Sequence, residues 1–440
     1  MFLLIGALAA AIGNWFFLRH AILMAPDSWR MWEGSLSLMD GQGYHSFTGD
    51  RSIREWPPLV SVYLAMWQKL LGVSGATLVY AQAVLAGLVT WSWARLAFAV
   101  SPLDLAGRSS QSWLDRYAYP TFVTFFIALY TATRFEAVRG NHLALVFVPL
   151  LMFRLEAAFA QKPAAARASS ASAFWREPAF FVHAAWAGIW GAATLLSHNS
   201  SAAFITAGAG VLFLASGVSS GKRAAGAALF VGIALLPSVV LRVVLHQGGS
   251  HSFGLHAGLH SPWQYAVQAL GGSATLLERG RPVAIALVLI LAWSAWAAYD
   301  RRRFSPAMHS AIRARFIFVV GTLASLVIIF SLTRISDNLS GRFLFFVALT
   351  LVPLAIASAA SHGRSLPSLA VGLVAAYAVI SWTIARWDGV EATPDARRFR
   401  PDQLVWKNDC IRDPEGIVSD FCSDVSNVRI PPAPGLATNQ

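Results

Sequence analysis

The stretch TLVYAQAVLAGLVTWSWARLAF, residues 77–98, decides the fold class, because Arg95 is its only charged residue. A helix of about 20 such residues crosses a hydrocarbon layer roughly 30 Å thick. Comparable segments recur along the chain. Together with the apolar start of the sequence they predict eleven membrane-spanning helices: 1–24, 77–98, 118–133, 141–158, 179–197, 201–218, 224–244, 283–299, 316–332, 343–360 and 369–385.

The composition agrees with this pattern. Of 440 residues, 56% are hydrophobic and only 13% are charged, whereas soluble domains carry about 25% charged residues. Such a chain is not an ordinary soluble enzyme, a disordered protein or a nucleic-acid-binding domain. We expect an all-α, polytopic membrane helix bundle. The segment 59–72 is apolar but short, which is typical of a helix that lies at the membrane interface within the first external loop.

The loops set the expected orientation. Three connections are basic, at 154–176, 222–223 and 301–315, and positive loops face the cytoplasm. With an internal N-terminus and eleven spans, the first loop (25–76), the loop 245–282 and the tail (386–440) fall on the external side. The protein is therefore expected in the plasma (inner) membrane. The net charge of +12 then reflects orientation and an external anion-binding site, and we expect no nucleic-acid partner.

The first external loop carries the most informative acidic residue. Asp27 follows the first span almost at once, so its carboxylate can accept a proton from a hydroxyl that attacks a substrate. Alternatively, Asp27 caps the N-terminus of a following helix. Glu55 presents the same kind of choice, because it can orient a substrate or pair with the adjacent Arg54.

Several short motifs resemble those of the GT-C glycosyltransferases, which are integral membrane enzymes that use polyprenyl-phosphate sugars. One is the Asp27 segment itself. A second is Gly41-Gln42-Gly43-Tyr44, and a third is Trp56-Pro57-Pro58-Leu59 at the start of the interfacial helix. A fourth, Gly341-Arg342-Phe343-Leu344-Phe345, is similar to the segment that opens a late helix in this superfamily.

Two further segments resemble the polyprenyl-phosphate-mannose-dependent group, glycosyltransferase family 87. They are Arg139-Gly140-Asn141-His142-Leu143-Ala144-Leu145 and Ser197-His198-Asn199-Ser200. The chain departs from the family pattern in two places: His198 stands where a lysine is usual, and a glutamine is missing before Asn141. Residues 1–385 would form the GT-C-like transmembrane domain, with 386–440 as an external tail.

The resemblance implies an inverting transfer of a monosaccharide from a polyprenyl-phosphate donor to an acceptor hydroxyl at the external membrane face. Asp27 would be the catalytic base, and no metal or cofactor would take part. The partners would be the lipid-linked sugar, a glycan or glycolipid acceptor and membrane lipids. The predicted substrate-binding residues are Arg342, Arg334, His198, Arg139, Asn141, Glu55 and Tyr44.

Other readings of individual residues stay open. Arg139 can form a salt bridge to Glu136 in place of a phosphate contact, and His198 can serve as a neutral residue at a helix end. The histidines of the 245–262 loop have an irregular spacing that matches no helical metal-ligand pattern. Cys410 and Cys422 can pair in an oxidising compartment.

Two other functions are compatible with a membrane bundle. A transporter would carry internal repeats and broken helices with charges in mid-membrane. The charges cluster at one face instead. An enzyme similar to the O-antigen ligases or polymerases would use a lipid-pyrophosphate-linked glycan, with its active residues in a late external loop. The early Asp27 favours the first function.

Overall fold

The computed structural model of the protein describes residues 1–24, 26–39, 41, 43–44, 57–99, 117–135, 140–160, 170–198, 201–215, 218–244, 281–300, 304–333, 339–362, 366–385, 397–407 and 410–412. Within these ranges the fold is helical. The α-helices are α1 Phe2–Leu18, α2 Pro26–Met39, α3 Leu59–Leu71, α4 Gly75–Phe98, α5 Tyr119–Arg134, α6 Gly140–Phe159, α7 Ser170–Ser197, α8 Ala202–Phe213, α9 Ser220–Val244, α10 Arg281–Tyr299, α11 Pro306–Thr333, α12 Leu339–His362 and α13 Leu366–Ala385.

Each predicted span falls on one of these helices, and the two that remain, α2 and α3, belong to the first loop. Among the described residues, five helical stretches are long and apolar enough to cross a membrane: Gly75–Phe98, His142–Phe159, Pro178–Ser197, Ser220–Leu241 and Pro306–Ile328. The protein is therefore a helical membrane protein that crosses the bilayer more than once. The count of eleven crossings stays a prediction.

Several helix boundaries differ from the predicted ones. Helix α1 ends at Leu18, so the predicted span 1–24 is too long at its end, and α7 begins at Ser170, nine residues before the predicted span. Helix α8 ends at Phe213, so it is only about 18 Å long at 1.5 Å per residue. Helix α11 begins at Pro306, ten residues before the predicted span. Arg313 and Arg315 therefore belong to the helix, although the sequence suggests that they lie in a basic connection.

Close contacts fix the relative directions of seven helices. Gly6 and Gly13 of α1 meet Thr124 and Ala132 of α5, so α1 and α5 run in parallel. Contacts of the same kind give the relative directions of the other helices. They join α4 to α1, α6 to α7, α7 to α9, and α8 to both α7 and α9. The directions alternate along α1, α4, α5, α6, α7, α8 and α9.

The alternation defines one end of the bundle, which we call the first-loop face. Helices α1, α5, α7 and α9 end there, and α4, α6 and α8 begin there. It is the face that the basic loops predict to be external. Asn14, which is buried, joins α1 to the end of α5 at this face. Its side-chain amide donates to the carbonyls of Ala132 (3.0 Å) and Phe135 (3.2 Å). The end of α5 thus lies level with the last turn of α1.

The tail returns to the first-loop face. Strand β1 (Ile22–Met24) follows α1 and pairs antiparallel with β2 (Arg397–Phe399), with Ile22 opposite Phe399 and Met24 opposite Arg397. A short 3-10 helix, Pro401–Gln403, packs on the start of α4, and β3 (Val405–Lys407) pairs with β4 (Cys410–Arg412). The tail and the first loop therefore share one side of the bundle, as the orientation argument requires.

A buried ion pair lies at the opposite end. Arg315 of α11 is 1% exposed, and its Nε donates to Glu156 Oε1 of α6 at 2.5 Å. A terminal nitrogen of Arg315 also donates to the Leu96 carbonyl, at 2.9 Å. Because Leu96 and Glu156 lie in the last turns of α4 and α6, this one side chain joins three helices.

The outer surface is apolar. Large aliphatic and aromatic side chains are exposed on α1, α9, α10 and α13, where a soluble protein would place polar ones: among them Leu4, Ile12, Phe16, Leu236, Val243, Ile285, Val288 and Tyr377. Lipid chains solvate such a surface without cost. The positions of these residues indicate which sides of the bundle face the bilayer.

Candidate functional site

The candidate site begins where β1 leads into α2. Helix α2 starts at Pro26, a residue whose fixed φ suits the first helical position. Asp27 is consequently inside the first turn and does not occupy the capping position before it. A carboxylate in a first turn is favoured by the helix dipole. Met31 lies one turn further along α2, and position 27 therefore shares its helical face.

Helix α2 is held against α3 through its backbone. The Ser61 hydroxyl of α3 donates to the Met31 carbonyl at 2.9 Å. The Ser35 hydroxyl lies 3.2 Å from Gln68 Oε1 across the α2–α3 contact, with the Trp32 carbonyl at 2.5 Å as its nearer acceptor. All three polar side chains, Ser35, Ser61 and Gln68, are buried. These bonds fix the height and rotation of α2, and with it the segment that carries Asp27.

Three of the predicted segments converge at Gly140, the first residue of α6. A Cβ atom at this position would overlap the Ser197 carbonyl and would lie 3.3 Å from both His198 Cδ2 and Met31 Cε. The end of α7, the start of α6 and the first turns of α2 are thus in contact at the first-loop face. His198 is half-buried there, and the Ser201 amide donates to its carbonyl at 3.1 Å as the chain turns into α8.

An aromatic cluster lies next to this convergence. Phe204, in the first turn of α8, packs on Phe346 of α12 with ring centres 5.1 Å apart. Phe318 and Trp93 also contact the Phe346 ring, at 5.9 and 6.2 Å. Arg342 lies one turn before Phe346 in α12, so its backbone position is near the start of α8 and therefore near the His198–Ser201 turn.

Tyr44 lies inside the α2–α3 unit and is 5% exposed. A Cβ atom at Gly34 would come within 2.6 Å of the Tyr44 ring, so the glycine makes room for the tyrosine. Burial raises the pKa of the Tyr44 hydroxyl, Ser61 lowers that pKa to a smaller extent, and the charge of Glu33 raises it further. Tyr44 is therefore a neutral hydroxyl at physiological pH. Its predicted contact with a substrate stays a prediction.

Glu33 is a buried carboxylate that is not among the site residues predicted from the sequence. It lies in α2 with 4% exposure, close enough to Tyr44 to influence its pKa. The sequence offers one signal for the burial of Glu33: it stands between Trp32 and Gly34, in a helix with small residues at positions 34, 35 and 37. Such residues let two helices approach closely and bury what lies between them.

His142 packs inside the bundle at the start of α6. It is 7% exposed, and its ring stacks on that of Phe135 with centres 4.1 Å apart and an angle of 1° between the planes. The backbone carbonyl of Phe135 also accepts a hydrogen bond from the side-chain amide of Asn14. The stack joins the end of α5 to the start of α6, beside Gly140.

The other predicted residues are placed in part or not at all. The helices include Asn141, in the first turn of α6, and Arg342, in the first turn of α12. Arg139, Arg334, Glu55 and residues 245–262 with their histidines lie outside the described residues. Cys422 does so as well, whereas Cys410 opens β4. Among the described residues, no three His, Cys, Asp or Glu side chains are grouped as metal ligands would be.

The chain was compared with known proteins at three levels. No protein-family model matches it, and neither a curated protein nor a solved structure shows significant similarity to it.

Proposed function

We propose that the protein is an inverting glycosyltransferase of the GT-C type, which moves a monosaccharide from a polyprenyl-phosphate donor to an acceptor hydroxyl at the first-loop face. The observation that carries the proposal is the contact between Met31, Gly140 and His198. It brings together three segments that are far apart in sequence, each of which resembles a different GT-C motif.

In the proposed reaction, Asp27 removes the proton of the acceptor hydroxyl as the hydroxyl oxygen attacks the anomeric carbon of the donor sugar. The bond between this carbon and the phosphate oxygen breaks, with inversion at the carbon. Polyprenyl phosphate leaves with the bonding electrons. The products are the glycosylated acceptor, the lipid phosphate and a proton that Asp27 passes to solvent.

The leaving phosphate gains negative charge and needs hydrogen-bond donors close by. In the proposal, His198 and Arg342 contact it, with Arg139 and Arg334 as further cations. The start of α6 adds the positive end of a helix dipole beside His198. Asn141, Glu55 and Tyr44 would position the sugar or the acceptor. The backbone of position 27 lies one turn before Met31 in α2, which supports a role for Asp27 near the same group of residues.

The test is transfer of labelled sugar by the purified protein in liposomes. Substitution Asp27→Asn keeps the side-chain shape and removes the base, so transfer should fall at least a hundredfold while the melting temperature stays unchanged. Asp300→Asn is the matched control: Asp300 follows α10, at an end that the sequence predicts to be cytoplasmic. Full activity of Asp27→Asn would refute the role of Asp27.

The choice of donor separates the alternatives. A glycosyltransferase of this type should use a polyprenyl-phosphate monosaccharide. An enzyme similar to the O-antigen ligases should use only a pyrophosphate-linked glycan, and a transporter should accumulate solute in proteoliposomes with no transfer. Either of the last two results would replace the proposed function. His198→Gln and Arg342→Gln should weaken donor binding when the proposal holds.

A further inference from the structure

A cavity of about 800 Å³ lies at the first-loop face, between the end of α1, the start of α4 and the tail. The tail forms one wall, because Pro401 packs directly on Gly75 and Leu404 is buried. Arg19, His20, Ser74, Arg400 and Asp402 supply its polar lining. None of the described residues at the candidate site is part of this lining, so the cavity is a separate feature.

Among the described residues that line the cavity, Arg19 is the cation without a carboxylate partner. Arg400 binds Asp402 through two bonds, Nε to Oδ1 at 3.0 Å and a terminal nitrogen to Oδ2 at 2.5 Å. This hydrogen bonding holds the pKa of the Asp402 carboxyl below its ordinary value, so the pair is neutral overall at physiological pH. Arg19 donates its Nε–H to His20 Nε2 at 2.9 Å, so this ring nitrogen is the acceptor. The other four N–H groups of Arg19 are on its terminal nitrogens.

Arg19 also lies at the end of an apolar stripe. Ile5, Leu8, Ile12 and Phe16 are 50–64% exposed and follow one another at helical spacing along α1. The Arg19 guanidinium sits 4.2 Å from the centre of the Phe16 ring and 5.3 Å from that of Trp15. Arg19 therefore both lines the cavity and caps this exposed apolar surface.

We propose that this cavity binds the headgroup of a membrane phospholipid that carries one negative charge. Its phosphodiester would accept hydrogen bonds from Arg19, and its acyl chains would lie along the stripe from Phe16 to Ile5. Arg19, the unbalanced cation of the described lining, matches a monoanionic phosphodiester, and guanidinium groups suit phosphate oxygens. A soluble phosphate would gain the charge contact and would leave the stripe uncovered, which is why the lipid is the favoured ligand.

Bound lipid would join α1 to the tail, since the two sides of the cavity come from the two ends of the chain. The inference does not depend on the proposed transfer reaction. It predicts that anionic phospholipid raises the melting temperature of the protein whether or not the protein is a glycosyltransferase.

The test uses the full-length, delipidated protein in detergent, with binding followed by native mass spectrometry and by the melting temperature. Phosphatidylglycerol should bind and stabilise. Phosphatidylcholine, inorganic phosphate and glycerophosphoglycerol, the headgroup without acyl chains, should each bind at least tenfold more weakly. Arg19→Gln should weaken the tightest phosphatidylglycerol site at least tenfold, and Arg19→Lys should restore part of the affinity.

Arg95→Gln is the matched control. Arg95 stacks on Trp91 and Phe153 at 5.3 and 5.8 Å, much as Arg19 stacks on its two rings, but it lies at the other end of the bundle and outside the cavity lining. Equal binding of phosphatidylglycerol and phosphatidylcholine by the wild type would overturn the proposal, even if Arg19→Gln failed to fold. So would unchanged phosphatidylglycerol affinity in a folded Arg19→Gln, or equally tight binding of inorganic phosphate.

Discussion

Gly140 at the start of α6 lies directly against the carbonyl of Ser197 at the end of α7. The contact is possible because position 140 carries no side chain, and it brings His198 and Met31 to the same place. The candidate site therefore rests on one glycine in the Arg139–Leu145 motif.

Substitution Gly140→Ala should separate α6 from α7. The added methyl group meets a backbone oxygen that has no side-chain freedom to move away, and overpacking of this kind costs about 1–3 kcal/mol. Thermal unfolding in detergent measures the effect. Gly210→Ala is the control, because a Cβ at position 210 of α8 has no neighbour within 4 Å and alanine favours a helix by up to about 1 kcal/mol over glycine. Equal stability of the two variants would show that α6 and α7 do not meet at Gly140.

The Gly34–Tyr44 contact should appear as coupling between two substitutions. Gly34→Ala alone forces a methyl group against the Tyr44 ring and should lower the free energy of unfolding by about 1–3 kcal/mol. In a Tyr44→Ala background the same change should cost clearly less. A double-mutant cycle on thermal or denaturant unfolding measures the difference, expected at about 1 kcal/mol or more. Strict additivity would mean that the tyrosine does not lie on Gly34.

Removal of one member of the buried ion pair should destabilise the bundle strongly. Glu156→Gln leaves the charge of Arg315 buried without its carboxylate, at a cost of about 3 kcal/mol. The double variant Glu156→Gln/Arg315→Met should recover much of the loss, since it removes the stranded charge. Melting temperatures of the three proteins give the comparison. Arg400→Gln, which breaks an exposed pair, should change the melting temperature little.

The tail should be needed to order the first loop. Truncation after residue 396 removes β2 and the segment that packs on Gly75, so limited proteolysis should cut the first loop at least tenfold faster. Truncation after Arg412 retains β2, β3 and β4 and should leave the rate unchanged. Equal protection in both truncated proteins would show that β1 does not depend on its partner strand.

The spans could be predicted from the sequence because hydropathy is a local property. Each predicted span corresponds to one helix, and the interfacial helix predicted at 59–72 is α3, Leu59–Leu71. The boundary errors at α8 and α11 have a physical cause. Apolar composition continues past Phe213, and Arg315 starts no loop because Glu156 neutralises it inside the bundle.

The non-local features could not be predicted in the same way. Three-residue strands such as β1 and β2 carry little signal of their own, and their pairing joins opposite ends of the chain. The burial of Glu33 and Tyr44 depends on how α2 meets α3. The motifs containing Gly140 and His198 could be recognised in the sequence, but their contact through Ser197 follows only from the packing of α6 on α7.

The pairing of β1 with β2 also sets an order of events. During synthesis, residues 22–24 emerge first and residues 397–399 emerge only after the last helix, so β1 has no partner strand until the whole bundle has been made. Until then the segment 22–24, which leads into α2, lacks its partner at the first-loop face. In a chain that has not yet reached residue 397, α2 would have its bonds to α3, but β1 would lack the strand that holds the approach to Asp27.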